Sequence, residues 1–77
     1  MKDKQLKLLS IVKAGTKVRL ERINAGNGLN SRLSTMGLIP KTEITVINNG
    51  HPGPIIVDIK GFRLILGRGI AHKIFVS

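Results

Sequence analysis

All nine glycines and all three prolines of this 77-residue chain stand at or beyond Gly15. They cut it into apolar runs too short for long helices. Several runs alternate with polar residues, which is the pattern of a small all-β domain. In 16–23, Val18 and Leu20 point one way and Lys17, Arg19 and Glu21 the other, as in a half-buried strand. Ile23 falls out of phase, which predicts a bulge or the strand end. Residues 42–48 form the next strand, with Ile44 and Val46 inward. Ile55, Val57 and Ile59 then alternate with Ile56 and Asp58. After the tight reversal Lys60-Gly61, Phe62, Leu64 and Leu66 alternate with Arg63 and Ile65. The two runs read as a hairpin. A single turn over 70–72 leads to a last short strand, Ile74-Phe75-Val76.

One helix is expected. Leu29, Leu33 and Met36 share a face at helical spacing, with Asn27 as N-cap. Gly37 suits the left-handed position beyond the C-terminus, with Leu38 folding back on Leu33 as a Schellman motif requires. Pro40 prevents continuation. The expected fold is mainly β, a small SH3-like β-barrel of about five strands with one short helix, in the same size range as an OB-like barrel. Residues 9–77 are read as a single domain and 1–8 as an N-terminal extension.

Composition narrows function by exclusion. Without Cys, no disulfide or thiolate zinc site is possible. The N-terminal apolar stretch is interrupted by Lys7 and Lys13, unlike a signal peptide, and no apolar run approaches the roughly 20 residues of a membrane span. A soluble, cytoplasmic protein is expected. Thirteen Lys and Arg against four Asp and Glu give a net charge of +9. That balance suits a nucleic-acid partner, an anionic membrane face or an acidic protein. The cations are scattered, with no basic arm. Phe62 and Phe75 are the only aromatic residues; both are expected to pack, leaving no platform for stacking bases.

Catalytic chemistry has little to build on. His51 lies on a loop tip and His72 near the C-terminus, and no pair of the four acids is spaced for joint acid–base work. His51 and His72 with Asp58 or Glu43 hold the residue types of a two-His, one-carboxylate ferrous site, but no local spacing brings them together. The two G-x-G matches, Gly26-Asn27-Gly28 and Gly67-Arg68-Gly69, lack the third glycine and the βαβ unit of a nucleotide site. Lys60-Gly61-Phe62 opens like an RNA-recognition signature that Arg63-Leu64-Ile65 breaks. The irregularity that remains is apolar. If the hairpin's other positions fill the core, Ile56 and Ile65 point outward on adjacent strands beside Arg63. That is the mark of a docking patch, unless Val12, Ile70 or the N-terminal segment covers it.

Taken in order, these pieces resemble the ferrous iron transport protein A (FeoA) family, small cytoplasmic SH3-like proteins. The resemblance runs from Leu9 to Val76. It rests on Leu9-x-x-Val12-x-x-Gly15, then Val18 and Ile23, then Arg32-Leu33-x-x-Met36-Gly37-Leu38-x-Pro40. It continues through Gly53-Pro54-Ile55 with Val57, Gly61 and Leu64. It closes on Gly67-Arg68-Gly69-x-Ala71-x-Lys73-Ile74-x-Val76. Two positions depart from the family pattern. Lys41 follows Pro40 where the family usually has Gly, and Ile65 stands where many relatives carry a smaller residue.

The resemblance implies a non-catalytic adaptor without a cofactor. It would dock on the cytoplasmic portion of a membrane ferrous iron transporter with a GTP-binding domain, and meet the membrane's inner face only through that partner. The same module also occurs fused to iron-dependent repressors, as an interaction domain. No metal-binding motif maps onto this chain. The expected contact residues are Arg32, Met36 and Leu38 on the helix side, and Ile56, Arg63 and Ile65 on the hairpin. The alternative is a small nucleic-acid-binding SH3-like or OB-like barrel.

Overall fold

One seven-residue strand, Lys17–Ile23, organises the molecule, because its two halves pair with different neighbours. A computed structural model describes residues 5–50 and 53–77. Its strands are β1 (Lys7–Leu8), β2 (Lys17–Ile23), β3 (Glu43–Asn48), β4 (Ile55–Ile59), β5 (Phe62–Leu66) and β6 (Ile74–Val76). All pairings are antiparallel, in the order β1-β6-β2-β3-β4-β5. The first part of β2 pairs with β3, at Lys17–Thr45 through Arg19–Glu43. The later part pairs with β6, from Leu20–Val76 to Ile23–Ile74. Between Leu20 and Arg22 the register slips by one residue. Glu21 is the extra residue, so the bulge expected from the phase of Ile23 is present and lets β2 serve two halves of a curved sheet. Ser77 Oγ donates a hydrogen bond to the Glu21 carboxylate. Six strands form where about five were expected, the addition being β1.

The alternation of the strands sends one face inward. Leu9, Leu20, Ile44, Val46, Ile55, Val57, Ile74 and Val76 are each fully buried. Burying such side chains stabilises a small domain by about 1.5–3 kcal/mol each before entropy is subtracted. Leu33 and Leu38 join this core from the helix side.

Helix α1 spans Asn27–Thr35. Its N-cap is Gly26, not Asn27, and no side chain caps it. The Asn30 amide instead donates back to the Ala25 carbonyl at 2.9 Å. The C-terminus follows the expectation closely. Gly37 takes φ +96°, its N–H bonds the Ser34 carbonyl, and the Leu38 N–H bonds the Leu33 carbonyl, both at 2.9 Å. These are the two bonds of a Schellman motif. Met36 departs from the expected apolar face: it sits at the C-cap and is exposed.

A turn then returns the chain to β3. Lys41 lies at φ +76°, so it adopts a left-handed backbone that a glycine would take without strain. An L-residue there costs about 1–2 kcal/mol, while glycine loses more entropy on folding. Lys41→Gly is therefore expected to stabilise the domain by about 0.5–1 kcal/mol. Urea unfolding followed by circular dichroism checks this, and an unmoved midpoint would mean that the turn bears no strain.

Hairpin β4–β5 closes through Lys60 at φ +52° and Gly61 at φ +89°. Two successive positive φ values are the type I′ turn that matches strand twist. Asp58 accepts the Gly61 N–H at 3.0 Å and steadies it.

Edge strands β1 and β5 share no ladder among the described residues. Side chains bridge the chain just beyond them. A 3-10 turn, Leu9–Ile11, follows β1, and the short helix α2, Arg68–Ala71, follows β5. Arg68 Nη1 donates to the Ser10 carbonyl at 3.3 Å, and its Nη2 donates to Asn49 Oδ1 at 2.5 Å and to the Gly50 carbonyl at 3.3 Å. Asn49 Nδ2 donates to the carbonyls of Ser10 and Val12 at 3.1 and 2.6 Å. One guanidinium and one amide thus tie three distant segments together.

Candidate functional site

Outward positions of the sheet form two adjoining zones. Register places Ile56 directly opposite Ile65, and Asp58 opposite Arg63. The expected neighbours are therefore a cross-strand pair. Ile65 is 70% exposed and Ile56 half-buried. Val12 is buried in the core and Ile70 is packed against it, so neither leaves Ile65 covered. On the other side of Ile56 the β3–β4 register slips between Val46 and Asn48, and Ile47 at that irregularity is exposed.

The next row runs Lys17, Thr45, Asp58, Arg63 across four strands. An open groove of about 550 Å³ lies here, lined in part by Lys17, Lys41 and Lys60 with Glu43 and Asp58. Lys41 and Lys60 are the two non-glycine residues with positive φ among those described. Their left-handed backbones place both cations on this groove.

The expected contact residues divide accordingly. Ile56, Arg63 and Ile65 lie together on the hairpin's outer face. Arg32 and Met36 are exposed at the C-terminal part of α1. Leu38 is only 1% exposed: the Schellman turn that delivers it also buries it, so it supports the surface from beneath and cannot touch a partner. Phe62 was expected to pack and does not. It faces the core side opposite Ile59, yet at the end of an edge strand it is 75% exposed. Alternation assigns the ring to the core face and does not reveal that it is exposed there. Phe75 does find a neighbour, with the Arg22 guanidinium 5.0 Å from its ring centre, a cation–π contact. One exposed ring does not make the multi-base platform of a single-strand binder.

For metal chemistry, no cluster of three His, Asp or Glu side chains able to hold an ion occurs among the described residues. His51 lies outside them. His72 is hydrogen-bonded through Nδ1 to Ser10 Oγ at 2.7 Å, beside the Arg68 bridge. No described helix is long and apolar enough to cross a membrane.

The architecture is that of a small SH3-like β-domain bearing an open, partly apolar outer face. The sequence model of the FeoA domain matches residues 7–77, and the chain belongs to the FeoA family. It is 40% identical over 69 residues to a Methanocaldococcus jannaschii protein provisionally named Fe(2+) transport protein A, covering 90% of this chain and 83% of that one. A crystal structure described as the iron uptake regulatory protein FeoA superposes with a TM-score of 0.88 at 32% identity, covering 95% of this chain and 97% of the other. The fold is also that of Stenotrophomonas maltophilia FeoA, described as an SH3 domain protein, with a TM-score of 0.80 at 21% identity and coverage of 92% and 89%.

Proposed function

We propose that this domain is a non-catalytic adaptor of ferrous iron uptake. It docks on the cytoplasmic GTP-binding portion of a membrane ferrous iron transporter and modulates transport. The observation that carries this is the exposed Ile65, paired with Ile56 and flanked by Arg63, on the outer face of a hairpin in an FeoA-family chain. Apolar side chains left in water beside a cation fit the centre and rim of a protein interface. The lysine-lined groove next to them favours an acidic partner and a fast, steered encounter. Arg32 and Met36 extend the contact from the helix side, and Leu38 shapes it from within.

Ile65→Asp tests this, because a side chain so exposed can change without disturbing the core. The transporter's cytoplasmic portion should be retained at least tenfold less, as expected for a central contact worth about 1–2 kcal/mol or more. The melting temperature should stay unchanged. Unchanged retention would remove the hairpin from the interface.

A further inference from the structure

Strand β5 ends the sheet, and its free side is unguarded. The two-residue turn makes Ile59 and Phe62 the first hydrogen-bonded pair, and bonded pairs then alternate along the ladder. Val57–Leu64 and Ile55–Leu66 follow. The main-chain N–H and C=O groups of Arg63 and Ile65 therefore face away from β4. Among the described residues, no other backbone hydrogen bond engages 62–66. Several devices that blunt an edge are missing here: β5 has no proline, its pairing with β4 runs without a register shift, Arg63 is its single charge, and only Leu66 of its five residues is buried. The opposite edge strand has just two residues. An unbulged, mainly apolar strand with open donors and acceptors is a template for another strand.

We infer that β5 is an acceptor edge for an extended peptide segment of a protein partner, which adds to the sheet as a seventh strand. This deepens the docking reading above, on which it rests, by specifying how the hairpin holds its partner. The incoming backbone bonds Arg63 and Ile65, whose amides repeat every two residues, about 6.8 Å. Alternate apolar side chains meet Ile65 on one face and Phe62 on the other, both largely exposed. Lys60 and Arg63 beside the edge, on a chain of net charge +9, select a segment with acidic flanks. The same charge opposes a second copy, because edge-to-edge pairing would bring like cations together.

Hydrogen exchange at single amides tests this with a blocked peptide that alternates valine and threonine and carries two aspartates at each end. At saturating millimolar peptide, exchange of the Arg63 and Ile65 amides should slow at least tenfold. Ile65→Pro removes an N–H that faces the free edge, so the β4 ladder keeps its bonds while peptide affinity should fall at least tenfold; Ile65→Val should retain it. If the proline variant fails to fold, the exchange measurement on the unaltered protein decides alone. No slowing at millimolar peptide, or slowing confined to other amides, overturns the inference. Protection of the same two amides without peptide, together with a dimer in sedimentation, overturns it in favour of a second copy. Equal retention of the transporter portion by Ile65→Pro and the unaltered protein sinks strand addition, while docking through the Ile65 side chain is judged by Ile65→Asp. Failure of the unaltered protein to retain the transporter counts against docking only, and the peptide measurement still decides the edge.

Discussion

Leu20→Ala is expected to remove about 3–5 kcal/mol of stability, against a total of roughly 4–12 kcal/mol for a domain of this length. Leu20 is fully buried. It also stands at the point where β2 passes from β3 to β6: its N–H bonds the Thr42 carbonyl at 2.9 Å, its carbonyl accepts the Lys41 N–H at 2.7 Å, and it is the register partner of Val76. A cavity at this junction has strands on both sides. The bulge at Glu21 and the Lys41 turn fix their spacing, so relaxation into the void is limited. Far-UV circular dichroism in urea is the suitable probe, since the chain has no Trp or Tyr. A loss below about 1 kcal/mol would contradict the packing described for this site.

Arg68→Ala is expected to cost about 2–3 kcal/mol, within the range for hydrogen bonds made by a charged donor. Its two terminal nitrogens serve three acceptors on two segments, the Ser10 carbonyl, Asn49 Oδ1 and the Gly50 carbonyl. Its Nε is buried and has no partner among the described residues. That unpaired atom offsets part of the gain and keeps the estimate moderate. Arg68→Lys should recover less than half, because a single ammonium cannot reproduce the fixed fork of a guanidinium. Amide exchange should quicken at Val12, whose N–H closes the 3-10 turn on the Leu9 carbonyl at 3.1 Å. A lysine variant as stable as the native chain would show that charge alone holds this junction.

These cases also mark what could be seen in advance. The hairpin and the helix C-terminus were legible because their rules are local: alternation on either side of Lys60-Gly61, and Gly37-Leu38 following Leu33 at the right offset. The outward Ile56–Ile65 pair followed from the same alternation. Alternation reports which side of a sheet a residue faces, and says nothing of how far that side extends. Hence Phe62 could be placed on the core side yet not recognised as exposed at the sheet's end. The helix start was misplaced by one residue because Asn27 has the favoured chemistry and Gly26 the required extended backbone. Leu38 belongs to the Gly37-Leu38-Ile39-Pro40 turn, which reads as surface, while its hydrophobicity takes it into the core. Strand β1 and the Arg68 bridge are non-local. Arg68 meets Asn49 across 19 positions and Ser10 across 58, separations over which no short pattern in the chain can speak.

The pairing of β1 with β6 sets Lys7 opposite Val76. Entry and exit of the domain therefore lie at one edge, within a strand spacing of about 4.7–4.9 Å. A unit with this geometry can be spliced into a loop of a larger host without stretching either, since the host chain leaves and resumes at nearly the same point. It also suits circular permutation, with a short linker joining β1 to β6 and a new opening cut elsewhere. The same small barrel can thus stand alone or be grafted within another protein, with its hairpin face left pointing outward in either setting.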